Sequence, residues 1–198
     1  MRVAQFQFIQ QQHQKYVQSQ TQSNDRHVKN AVRDMIDEAI TPYLTVAQRQ
    51  MFFDLTERDA AKTWFAQLKE QHVEAIVIPT ERELQQLFKK EKKLKLPKQL
   101  LQPYVVFFSW DDPTQMKRFM VHEKKGIVGV LSKQVVKGIC TICHRHNDTV
   151  LFTVKTKSSG DGMYTKNSQY ICVDSYQCNQ LVVDEQRVQD FIATLQAI

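Results

Sequence analysis

The sequence predicts an α+β protein: an N-terminal antiparallel helical bundle followed by an α/β domain. Three observations predict it. The first 125 residues contain no glycine, whereas all five glycines fall between Gly126 and Gly162, so the front of the chain has few positions that need positive φ and favours helices with short turns. Apolar residues there recur every three or four positions and later every two. All four cysteines lie between Cys140 and Cys178.

Residues 1–72 read as four amphipathic helices. Phe6, Ile9, His13 and Tyr16 form the first stripe, with glutamines supplying the polar face. Val28, Val32, Met35, Ile36, Ala39 and Ile40 form the second, opened by Asn24 or Asp25 as a cap. Thr41-Pro42 ends it, because the residue before proline is pushed out of the α region. A third helix is expected from Val46 to Leu55. Thr56-x-x-Asp59 then has the form of a capping box ahead of Ala61, Trp64, Phe65 and Leu68. Short amphipathic helices joined by tight turns imply an antiparallel bundle.

Residues 73–198 read as the second domain. An apolar run, Val73 to Ile78, leads to Pro79 at the seam. Thr80-x-x-Glu83 is a further capping-box pattern, and the helix it opens carries Leu84, Leu87 and Phe88 on one face. Residues 83–97 read as a lysine-rich helix and its exit, and Lys89, Lys90, Lys92, Lys93, Lys95 and Lys98 fall within ten residues. Strands are expected at Tyr104 to Trp110, Met116 to His122, Ile127 to Leu131, Val150 to Lys155 and Met163 to Val173. Asp111-Asp112-Pro113, Lys125-Gly126 and the segment Ser158 to Gly162 supply the turns. A final helix from Asp184 carries Val188, Phe191, Ile192 and Leu195 on one face.

Net charge is +6 and the isoelectric point about 9.1, which steers the protein toward an acidic partner: a nucleic acid, a ribosome surface or an acidic protein. Mean hydropathy is −0.46 and no apolar run is long enough to span a membrane. The opening MRVAQFQFIQQQHQ lacks the apolar core of a secretory signal, so a cytoplasmic location is expected. The glycine-free front excludes an N-terminal phosphate-binding loop, dinucleotide fingerprint or nucleophile elbow.

Cys140 and Cys143 form a C-x2-C pair, and Cys172 and Cys178 a C-x5-C pair after 28 intervening residues. In a reducing compartment such a set reads as a tetrahedral zinc site before it reads as disulfides. Four protein ligands would leave no open position, so one structural Zn2+ is expected. The competing reading is four buried, reduced thiols. His144 and His146 read as loop residues, though either could replace a thiolate. A zinc deaminase pattern is absent: Ile139 rather than proline precedes Cys140, and His122-Glu123 are adjacent. No catalytic residues stand out, so a non-enzymatic role is expected.

The segments QVVKGICTIC at 134–143, GDGMYTKNSQYICVDSYQCN at 160–179 and LFKKEKKLKLP at 87–97 resemble the FusB/FusC-type fusidic acid resistance proteins, which are elongation factor G-binding proteins. The resemblance covers nearly the whole chain, with specific motifs over 84–97 and 134–192. It implies a four-cysteine, treble-clef-like zinc finger within 134–198, with Cys140, Cys143, Cys172 and Cys178 as ligands. It implies a monomer that binds elongation factor G one to one, promotes its release from the ribosome and so protects translation from fusidic acid, with no small-molecule substrate. It also implies a partner surface at Ile139, Lys166 or Asn167, Tyr170 and Phe191. An aromatic is usual in the family where Ile139 stands, and the family's lysine before the third cysteine is offset by one, at Lys166, with Asn167 in its place.

The residues themselves leave alternatives open. Phe191 fits the terminal helix stripe, for which core packing is the default. Tyr170 lies two before Cys172, on the same side of its strand. The lysine run is either a solvated helix end or an anion-binding patch. A zinc-containing RNA- or ribosome-binding module without a direct elongation-factor partner is the second functional reading.

Overall fold

The computed structural model describes residues 1–96, 103–157 and 164–196. The chain divides into two compact units, Met1–Glu74 and Ala75–Ile198.

The first unit holds helices α1 (Val3–Gln22), α2 (Arg26–Ile40), α3 (Val46–Asp54) and α4 (Arg58–His72). The α1 stripe is buried as its period requires, and aromatic edges lock it in place. Phe6 meets Phe65 at 6.0 Å and Tyr16 meets Phe53 at 5.0 Å, both edge to face. Asp25 caps α2, accepting from His27 N at 2.7 Å. Thr45 and Gln48 form a capping box at α3.

Two expectations fail here. Glu57, not Thr56, precedes α4, and no side chain caps that helix, so the Thr56-x-x-Asp59 pattern forms no box. In α2 only Ile36 and Ile40 are buried, whereas Val28 and Met35 are 46% and 61% exposed. The guanidinium of Arg33 lies 4.9 Å from the centre of the Phe53 ring, so a charged α2 side chain covers core surface by cation–π contact.

The second unit opens with α5 (Glu81–Leu87), whose Thr80–Glu83 capping box forms as expected. An antiparallel meander follows: β1 (Phe108–Asp112), β2 (Lys117–His122), β3 (Lys125–Ile139), β4 (His146–Lys157) and β5 (Tyr164–Cys172), in spatial order β1-β2-β3-β4-β5. Helices α6 (Ser175–Leu181) and α7 (Glu185–Gln196) complete it.

Strand alternation gives the sheet two apolar faces. Phe108, Trp110, Phe119 and Val121 form one core with Leu84 and Phe88. Phe152 lies on the opposite face, where α7 approaches β3, β4 and β5 and Phe191 meets it at 5.9 Å. Both faces demand glycine where an aromatic ring crosses β3. A Cβ at Gly126 would lie 2.9 Å from Phe88 Cζ, and one at Gly129 would lie 2.6 Å from Phe152 Cζ. Gly126 is therefore a strand residue chosen for close packing, and the turn expected at Lys125-Gly126 falls at Glu123-Lys124 instead.

β1 begins at Phe108 rather than Tyr104, because the N–H groups of Val106 and Phe107 donate to Asn179 Oδ1 at 2.9 and 3.0 Å instead of to a strand. β3 continues past Leu131 to Ile139 through a register shift between Leu131 and Val135. The polar Ser132-Lys133-Gln134 stretch interrupts the alternation that would have signalled this extension. The expected turn from Ser158 to Gly162, and Lys98, lie outside the described residues.

Candidate metal centre and partner surface

β3 ends at Ile139 and delivers Cys140 into a tight knuckle. His144 N donates to Cys140 O at 2.9 Å, and Cys140 N donates to Arg145 O at 3.0 Å. His144 closes the turn with φ 54°. The β4–β5 pair then returns the chain to Cys172, which lies opposite Thr149. Asp174 caps α6, accepting from the N–H groups of Tyr176 and Gln177. Cys178 therefore sits inside α6.

This knuckle, hairpin and helix bring all four thiols together. Their Sγ atoms lie within 4.8 Å of one another, and all four cysteines are buried. Cys140 Sγ is 3.7 Å from Cys178 Sγ, and Cys143 Sγ is 3.6 Å from Cys172 Sγ. Zinc–sulfur bonds of about 2.3 Å in a tetrahedron place sulfurs ~3.8 Å apart, so the group has the size and chemistry for such an ion. Hydrogen bonds from Cys143, Cys172 and Cys178 hold the Cys140 thiol far below its usual range. The same sharing, chiefly with Cys140, pushes Cys178 up. Only a cation lets all four thiolates coexist in so small a volume. His144 and His146 are exposed and stand outside the group.

Sequence reasoning missed several polar residues around the cluster. Arg118, in β2, is 2% exposed. Its Nη1 donates to Cys172 O at 2.7 Å and its Nη2 to Val173 O at 2.5 Å. Asp111 accepts from its Nε and Nη2 at 2.7 and 2.8 Å. Asn179 follows Cys178 and is 3% exposed. Asn147 Nδ2 donates to Cys172 Sγ at 3.7 Å. A charged residue within a strand pattern reads as surface, so Arg118 carried no signal.

The structure disperses the expected partner residues. Tyr170 is 45% exposed and pairs with Leu151, while Lys166 pairs with Lys155 on the same sheet face. Asn167 pairs with Val154, on the other face, and is half-buried. Ile139 is 66% exposed and pairs with His146, which also belongs to the Val154 face of β4. Tyr170 stays close to the knuckle through its backbone, since Thr141 N donates to Tyr170 O at 2.9 Å. Phe191 is a correction. At 2% exposed and packed on Phe152, it is core and offers no contact surface. Its place in the α7 stripe is the reason. Val173 and Tyr176, at 40% and 53% exposed, add apolar surface that the sequence did not single out.

Comparison with known proteins gives concordant results. Residues 1–79 match the family described as elongation factor G-binding protein, N-terminal. No curated protein matches the chain. Among solved structures, that of the fusidic acid resistance protein FusC matches with a TM-score of 0.86 and 27% identity, over 99% of this chain and 97% of that one. The first 79 residues are thus similar in sequence to elongation factor G-binding proteins, and nearly the whole length shares the fold of FusC.

Proposed function

We propose that this protein binds elongation factor G, promotes its release from the ribosome and so protects translation from fusidic acid. The single observation that carries the reading is the FusC-like fold across 99% of the chain, joined to the family match at residues 1–79. The role is that of a binding protein, acting in the cytoplasm as a monomer with a one-to-one complex. No helix among the described residues is long and apolar enough to cross a membrane.

In this reading Cys140, Cys143, Cys172 and Cys178 hold one structural Zn2+. The ion would neutralise the thiolates and fix the knuckle relative to β5. Tyr170, with Ile139, Lys166 and Asn167, would supply contacts around that rigid edge. A half-exposed tyrosine on a rigid strand suits an anchor, because it brings large area at small entropic cost. Release then follows from differential affinity. A ligand shifts an equilibrium only by how much better it binds one state. The protein must therefore favour a factor conformation that the stalled ribosomal complex does not hold.

A pelleting assay tests this. Elongation factor G stalled on ribosomes by fusidic acid sediments with them, and adding this protein should move the factor to the supernatant as a complex. A factor that stays in the pellet at saturating protein refutes the release step.

A further inference from the structure

The lysine run is left unused by the elongation-factor reading, and the structure gives it a defined shape. After α5 the chain winds through residues 88–96 with its backbone pinned. Trp110 Nε1 donates to Lys95 O at 2.9 Å, and Gln115 Nε2 donates to Lys93 O at 3.2 Å. Leu94 and Leu96 turn inward and pack against the core that holds Phe88 and Trp110. Glu91, the one acid inside the run, is taken by Lys117 Nζ at 2.6 Å. Lys95 is exposed and its Nζ donates to Thr114 Oγ1 at 3.1 Å. Lys89, Lys90, Lys92 and Lys93 are exposed, with no ion pair among the described residues.

We propose that this pinned lysine arm is a nucleic-acid-binding surface that holds a phosphodiester backbone. Two features favour phosphates over an acidic protein. A protein interface needs an apolar centre, and residues 88–96 expose no large apolar side chain, because Leu94 and Leu96 face inward. Closely spaced ammonium groups on an ordered backbone match a row of phosphates, where release of condensed counterions drives binding. Pinning by Trp110 and Gln115 removes the ordering cost that a loose basic tail would meet. The surface carries no base-reading groups, so binding is independent of sequence.

The test is fluorescence anisotropy of the full chain with labelled twenty-nucleotide oligouridylate and oligothymidylate, using polyglutamate as competitor. Contacts from four lysines predict that affinity for either strand falls roughly 50-fold between 50 and 200 mM salt, from a slope of about 0.7 per phosphate. A stronger signal for one strand assigns the sugar preferred and still supports the surface. The quadruple variant Lys89→Gln/Lys90→Gln/Lys92→Gln/Lys93→Gln should lose that binding while keeping its circular dichroism spectrum and its complex with elongation factor G. Should it misfold, the double variants Lys89→Gln/Lys90→Gln and Lys92→Gln/Lys93→Gln should each halve the salt slope. No binding at 50 mM salt, or unchanged binding by the variants, overturns the proposal. So does competition by polyglutamate as strong as by oligonucleotide, or loss of the elongation-factor complex in the variants, since either moves the lysines to a protein interface.

Discussion

Arg118 Nη1 donates to the carbonyl oxygen of Cys172 at 2.7 Å, tying the second strand of the sheet to the backbone of a cluster cysteine. The contact spans 54 residues of sequence, and Nη2 extends it to Val173 O. Arg118→Met keeps the bulk but leaves the buried Cys172 carbonyl, and the part-buried Val173 carbonyl, without this donor. The expected cost is about 2–3 kcal/mol, because an unsatisfied buried acceptor loses its full desolvation compensation. Urea denaturation should show that loss, and zinc should pass faster to a chelating dye. An unchanged midpoint would show that water replaces the guanidinium without cost.

Metal removal should act on the second unit. One zinc per chain is expected by elemental analysis of the purified protein. Cys178→Ser, which removes one of four buried sulfurs, should bring that content well below one. A chelator should abolish the cooperative unfolding of residues 75–198, since binding energy at a structural site is folding energy. Helical signal from the first unit should survive, because its core contains none of the four thiols. Full metal-free stability of the second unit would favour four inert thiols.

His13 should make the first unit acid-sensitive. Its ring lies against Phe52 at 5.1 Å and Phe65 at 5.3 Å, and Nε2 donates to Leu55 O at 2.8 Å. Burial lowers its pKa from 6.5, partly offset by the bond to Leu55. The unfolded chain therefore takes up a proton near pH 6.5 while the folded chain resists it. Stability should be full above that value and fall as pH drops below it, down to the depressed folded pKa. Thermal melts at pH 7.5 and 5.5 check this. His13→Gln should flatten the difference, and an equal slope in the variant would assign the effect to other groups.

Tyr170 and Phe191 should separate binding from folding. Tyr170 is 45% exposed and Phe191 2% exposed. Tyr170→Ala should leave the melting temperature within a few degrees and weaken the elongation factor G complex at least tenfold, as expected when a hot-spot aromatic is truncated. Phe191→Ala should destabilise the second unit by about 3–5 kcal/mol through the cavity left against Phe152. Calorimetric titration and denaturant unfolding on both variants distinguish the two roles. A destabilised Tyr170→Ala would mean that its ring supports the sheet instead.

Much of this architecture was legible because it is local. The α1 stripe, the Thr80–Glu83 box and the α7 stripe rest on spacing alone, and their residues fall where spacing puts them. The four cysteines were legible as a set, since two short thiol spacings separated by a hairpin have few other uses. What stayed hidden depends on partners distant in sequence. Asn179 stops strand pairing at Val106 and Phe107 from 73 and 72 residues away, so β1 starts late. Arg118 is buried only because two carbonyls and Asp111 converge on it. The family resemblance suggested a surface role for Phe191, while the period of its own helix placed it inside. The period was the better guide, because burial is set by the face a residue occupies.

Gel filtration of this protein with purified elongation factor G, in the absence of ribosomes and RNA, reads out direct binding between the two. The two should co-elute as a one-to-one complex at micromolar concentration, and Tyr170→Ala should abolish that complex. Separate elution of the two proteins at that concentration would contradict direct binding.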